Sequence, residues 1–114
     1  MSYQFRTIAS FERDLKRLAK RYRSLQEDLL KLIHELQENP NIGVDLGHGI
    51  RKIRLAIQSK GGGKRGGARV IAHTDVVIDI KEGTICFLAL YDKSDQETIS
   101  NQAIKALLKE AGIE

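Results

Sequence analysis

The chain has one proline, one cysteine and no tryptophan, and aromatic residues make up only 5% of its 114 positions. A lone cysteine, Cys86, cannot close an intramolecular disulfide, and no Cys/His group stands at metal-ligand spacing. His34, His48 and His73 fall on a helical, a loop and a strand stretch, so no metal and no other cofactor is expected. The longest apolar runs are a few residues, too short for a helix that spans a membrane. Met1-Ser2-Tyr3-Gln4 lacks the cationic start and apolar stretch of a secretory signal, so a cytoplasmic location without a membrane partner is expected. The sharpest absence is local. No acid stands between Asp45 and Asp75, while Arg51, Lys52, Arg54, Lys60, Lys64, Arg65 and Arg69 all do. The net charge is only +4, so the remainder of the chain is net acidic. A single cationic zone on such a chain points to a polyanion or an acidic partner.

What is present reads as one domain, residues 1–114, with a hydrophobic content of 41% and enough length for a real core. Tyr3–Ile8 has the make-up of an opening strand. From Ser10 the apolar period becomes helical, with Phe11, Leu15, Leu18, Ala19 and Tyr22 in one stripe. Ser24-Leu25-Gln26-Glu27 reads as a capping box that opens a second helix, striped by Leu25, Leu29, Leu32, Ile33 and Leu36. Asn39-Pro40 ends it, because the residue before proline is pushed out of the helical region. Asn41–Gly49, with its three glycines, reads as a loop.

The period then changes to two. In Arg51–Ile57, Ile53, Leu55 and Ile57 alternate with Lys52 and Arg54, which places those two cations on one strand face. Ser59–Gly67 is a glycine-rich connection, expected to be mobile. Ala68–Thr74 follows as a strand with Arg69, Ile71 and His73 on one face. Val76–Ile80 and Ile85–Tyr91 extend the strand run across the turn Lys81–Thr84. Ser94-Asp95-Gln96-Glu97 reads as a second capping box, opening a final helix that Gly112 ends. The coarse order is β-α-α-β-β-β-α. Short links between strands favour antiparallel pairing, and helices outside the strand run favour the α+β class.

The basic stretch is not a nucleotide-binding loop. Arg65 follows Gly63-Lys64 where Ser or Thr would hold magnesium, and the glycines join two strands rather than a strand and a helix. Cys86, among Ile85, Phe87 and Leu88, reads as a small buried apolar residue. Lys52, Arg54 and Arg69 brought to one sheet face would attract phosphates. Aromatics for base stacking are missing there, and Tyr91 is the candidate nearest to the site.

Gly49-Ile50-Arg51-Lys52-Ile53-Arg54-Leu55-Ala56, the Gly61–Gly67 loop, Ala68-Arg69-Val70-Ile71 and Leu90-Tyr91-Asp92-Lys93-Ser94-Asp95-Gln96-Glu97 together resemble the RelE/ParE superfamily of toxins, and most of all its HigB-like branch with "GKRGG-x-R-V-I". The resemblance runs over nearly the whole chain. It implies a RelE-like α+β fold, with an N-terminal strand and helical hairpin packed on a mainly antiparallel sheet and a C-terminal helix. It also implies a toxin of a type II toxin–antitoxin pair, neutralised by an antitoxin that covers the cationic face or displaces the last helix. A homodimer or a heterotetramer with the antitoxin would be in keeping with it.

RelE-type members cleave mRNA in the ribosomal A site, with the 2′-hydroxyl attacking the adjacent phosphate. By position, Lys52 and Arg54 match the family's paired cations, and Arg69 the arginine after the loop. Arginines can hold a phosphate in two bonds as its charge grows, and a lysine crowded by cations is disfavoured in its ammonium form. Lys52 is therefore the expected base or charge stabiliser, with Arg54 and Arg69 on the phosphate. Gln96 and about Ser100 stand where RelE has an arginine and a tyrosine, and Ala72-His73 stands where HigB-like relatives often have tyrosine. His73 and Tyr91 are thus the candidates for acid. Arg51, Lys60, Lys64, Arg65 and Lys93 complete the cations expected to meet the RNA backbone. Two other readings stay open: a ParE-like, non-enzymatic gyrase inhibitor, and a catalytically degenerate module that binds RNA or antitoxin.

Overall fold

The computed structural model describes residues 2–113. Its elements in order are β1 (Gln4–Thr7), α1 (Ala9–Arg21), α2 (Leu25–Glu38), β2 (Val44–Gly47), β3 (Ile50–Leu55), α3 (Gly63–Gly66), β4 (Ala68–Val77), a 3-10 turn (Ile78–Ile80), β5 (Glu82–Asp92) and α4 (Asn101–Glu110). One five-stranded sheet runs β1-β5-β4-β3-β2. All neighbours are antiparallel except β1, the edge strand that precedes the helical hairpin and lies parallel to β5. This is the expected α+β arrangement.

Apolar spacing explains the helices. Phe11 and Leu18 of α1 and Leu25, Leu32 and Leu36 of α2 are sealed against Ile53, Leu55, Val70, Phe87, Leu88 and Leu90 of the sheet. Each such side chain contributes about 1.5–3 kcal/mol of transfer free energy. Glu12 lies in the first turn of α1 and Lys20 and Arg21 in its last, as the helix dipole favours.

The second sheet face carries Ile50, Lys52 and Arg54 of β3, Arg69, Ile71 and His73 of β4, and Cys86, Ala89 and Tyr91 of β5. Helix α4 packs against β5, and Arg6, level with Cys86, donates from Nη2 to the Ala111 carbonyl at 2.7 Å. A bulge at Leu88 of β5, opposite the Ile71–Ala72 step of β4, keeps Arg69 and Ile71 in step with Tyr91 and Ala89 while Phe87 turns to the helices.

Several expectations are corrected. The 41–49 stretch is not all loop: Val44–Gly47 pairs with β3 as an edge strand, through a turn in which Gly47, His48 and Gly49 all have positive φ. Val76–Ile80 is not a separate strand, because β4 runs on to Val77 and its bend is the 3-10 turn. Neither capping box forms. Ser24 sits in helical geometry and its hydroxyl donates to Asp28 Oδ2 and accepts from the Ser59 amide. The last helix begins at Asn101, capped by Ser100 Oγ on the Ala103 amide. The 94–97 stretch is diverted because Asp92 takes its amides: Ser94 N–H bonds the Asp92 carboxylate, and Asp95 and Gln96 N–H bond the Asp92 carbonyl.

Candidate anion-binding face

Register brings the cations together. Arg54 stands directly opposite Arg69, and Arg69 opposite Tyr91, so the three side chains form a row across β3, β4 and β5. Lys52 is the next residue along β3 on that face. Among the described residues, no carboxylate lies within salt-bridge distance of Lys52, Arg54 or Arg69.

Arg69 is only 5% exposed. Its guanidinium donates to the carbonyls of Lys64 (3.2 Å) and Arg65 (3.2 Å), both in the short helix α3, and of Ala68 (3.0 Å) at the start of β4. Burial first, and the neighbouring Arg54 charge second, lower its pKa. Tyr91 is also 5% exposed, and its buried hydroxyl has no hydrogen-bond partner. Burial raises its pKa and the charge of Arg69 opposes that rise, so the phenol is protonated at neutral pH and free to donate. Lys52 Nζ makes a long, 3.5 Å contact with the Glu97 carbonyl, at the approach to α4. Arg54 is exposed and opens onto a cavity of about 440 Å³ between α2 and the glycine loop.

The other nominated residues divide. His73 shares the face but is level with Ile50 and Cys86, about 13 Å along β4 from Arg69 at 3.3 Å per residue. It stands beside Gly49 and away from the row. Arg51 lies on the helix side, where its guanidinium holds the carbonyls of Asn41, Ile42 and Gly43. Lys60 is not a free loop cation, because its Nζ bonds Asp92 Oδ1 at 2.7 Å and Ser94 Oγ at 2.8 Å. Lys64 forms an exposed pair with Glu35 at 3.0 Å. Arg65 is exposed, and Lys93 is half-buried beside the loop, its amide donating to the Gly67 carbonyl.

The loop contains one short turn of helix, Gly63–Gly66. Its end is fixed by a close approach, since a Cβ at Gly67 would stand 2.0 Å from the Leu55 carbonyl oxygen.

Sequence reasoning missed Asp92. This carboxylate is wholly buried and accepts from Arg21 (3.0 Å), Tyr22 (2.5 Å), Lys60 and the Ser94 amide. Burial alone would raise its pKa, but the bonds from Lys60, Tyr22, the Ser94 amide and Arg21 outweigh that and hold it well below the usual carboxylate range. Its only signal in the sequence was its place in Tyr91-Asp92-Lys93, between two nominated residues.

Fold and site together define a small α+β protein in which one sheet face carries Lys52, Arg54 and the buried Arg69 without a described carboxylate partner. The family profile described as "RelE toxin of RelE / RelB toxin-antitoxin system" matches residues 10–113, and the chain belongs to that family. It is a toxin of a type II toxin–antitoxin system, and membership implies an antitoxin partner. Among solved structures, a doubly substituted E. coli toxin RelE in the free state is similar in fold, with a TM-score of 0.54 and 19% identity over 96% of this chain and 97% of that one. No curated protein sequence matches the chain. No described helix is long and apolar enough to cross a membrane.

Proposed function

We propose that the protein is a ribosome-dependent mRNA interferase that inhibits translation. The observation that carries this reading is the row Arg54–Arg69–Tyr91 beside Lys52, buried in part and unpaired with any described carboxylate. Such a row is costly to fold unless a ligand anion meets it. In the reaction, the 2′-oxygen attacks the adjacent phosphorus and the bond to the 5′-oxygen breaks. A 2′,3′-cyclic phosphate and a 5′-hydroxyl result. Arg54 and Arg69 hold the non-bridging oxygens as charge develops, and Lys52 takes the 2′-proton or stabilises charge. Tyr91 supplies the proton to the leaving oxygen, since its hydroxyl has no competing partner. His73 stands outside this scheme because of its distance along β4. Arg65 and Lys93 flank the row and meet neighbouring phosphates. The ribosome orients the codon, so free RNA is a poor substrate. The stretch Gly63–Ile71 supports placement in the HigB-like branch.

The test is mapping of mRNA 5′ ends in an in vitro translation reaction, with a gyrase supercoiling assay alongside. Ribosome-dependent cuts lost in Lys52→Ala and Arg69→Ala support the reading. Intact mRNA with inhibited supercoiling would replace it by gyrase inhibition, and intact mRNA with normal supercoiling by a binding module.

A further inference from the structure

We propose that Asp92, on the helix side of the sheet, is a positioning residue for Arg69 on the opposite side. The inference deepens the reading above and rests on it for its RNA measurements alone. Two routes connect the residues.

The first is the ladder. Asp92 is level with Ala68, and Tyr91 with Arg69, so anchoring Asp92 sets the rung that presents the Arg69–Tyr91 pair. The next connection, from the Lys93 amide to the Gly67 carbonyl, closes the neck of the loop.

The second route is the loop. Arg69 is held by carbonyls of Lys64 and Arg65, which belong to α3, a helix of 4 residues. A helix this short does not hold itself together, and Gly61, Gly62, Gly63, Gly66 and Gly67 around it make ordering entropically costly. Tethers must therefore order it. The Lys64–Glu35 pair is exposed and weak. The strong tether is Lys60, whose ammonium reaches Asp92 at 2.7 Å and is largely shielded from water. Arg21 and Tyr22, from the end of α1, fix the carboxylate that receives it. A path thus runs from Asp92 to Lys60, along the backbone through Gly61 and Gly62 into α3, and from its carbonyls to the guanidinium of Arg69.

The sign of one substitution separates positioning from plain charge. Asp92→Asn removes a negative charge, and long-range electrostatics alone would then strengthen binding of a polyanion. Lost positioning weakens it instead. Binding of a short single-stranded RNA is measured over a range of salt concentrations for wild type, Asp92→Asn, Arg69→Ala and the double variant. Asp92→Asn is expected to bind about tenfold more weakly and to lose about 0.7 from the slope of log K against log salt, one phosphate contact, as Arg69→Ala does. The double variant is expected to lose nothing further.

Amide hydrogen exchange at Gly66 and Lys93 is read in the same proteins, and both are expected to exchange faster in Asp92→Asn. Lys60→Met, which leaves Asp92 with Arg21, Tyr22 and the Ser94 amide, is expected to show the same faster exchange and takes the place of Asp92→Asn if that variant does not fold. Unchanged or tighter RNA binding by Asp92→Asn, or losses that add to those of Arg69→Ala, would overturn the inference. If wild type itself binds no free RNA, the proposed function is decided by the mapping of mRNA ends in the translation reaction, and exchange at Gly66 and Lys93 decides the inference: faster supports it, unchanged overturns it.

Discussion

Two groups of cations flank the same short length of sheet and meet opposite fates. On the helix side, Arg21 and Lys60 converge on Asp92, whose carboxylate is buried and saturated with donors. On the open side, Arg54 and Arg69 face one another across two strands with no described carboxylate near. The first group is matched within the chain and contributes to folding. The second has no described carboxylate partner: Arg54 is exposed, Arg69 is held only by main-chain carbonyls and the buried Tyr91 phenol has no hydrogen-bond partner, and this is the group that the proposed RNA phosphate would meet. Burial of a charge therefore means different things on the two sides of one sheet, and the location of the counterion decides which.

This contrast can be broken most severely at Asp92. Asp92→Asn leaves the shielded Lys60 without its charge partner and Arg21 with Asp95 alone, and equilibrium denaturation is expected to show a loss of about 3 kcal/mol at neutral pH. Because the folded pKa of Asp92 is depressed, its stabilisation is present above the ordinary carboxylate pKa and is lost as pH falls through the folded value. The gap between wild type and variant should therefore be full at pH 7 and shrink below about pH 4.

A much smaller change is expected on the other face. Arg69→Met removes a buried cation that has no carboxylate partner, but also its bonds to the carbonyls of Lys64, Arg65 and Ala68, so stability should change by less than about 1 kcal/mol while RNA cleavage falls. A loss of stability equal to that of Asp92→Asn would erase the distinction between the faces. Tyr91→Phe sharpens it: removing an unpartnered hydroxyl should move the melting midpoint by less than about 0.5 kcal/mol equivalent, yet slow cleavage about a hundredfold. The smallest effect is expected for Lys64→Ala, whose exposed pair with Glu35 is worth about 0.3 kcal/mol and should vanish in high salt.

Much of this arrangement was legible in the residues. The alternation of Ile53 and Leu55 with Lys52 and Arg54 was enough to assign faces, because strand side chains must alternate. Pairing Arg54 with Arg69 needed only a hairpin between their strands. Misreadings arose where side-chain chemistry had a choice of partners. Ser24 and Ser94 have the spacing of helix caps, but Ser24 was taken by Asp28 and Ser59, and Ser94 by Lys60 and Asp92. β2 was hidden because its glycines look like loop residues and its pairing depends on a neighbour strand.

Local periodicity and charge by themselves determined the α+β class, the helical hairpin, the strand faces and the cationic stretch, since these follow from geometry repeated every two or 3.6 residues. Tertiary structure alone decided which cations are neutralised. Lys60 and Arg69 stand in the same acid-free stretch, but one reaches Asp92 through the folded neck of the loop and the other turns to the open face. Ion pairing acts over a few ångströms, and sequence distance does not report it.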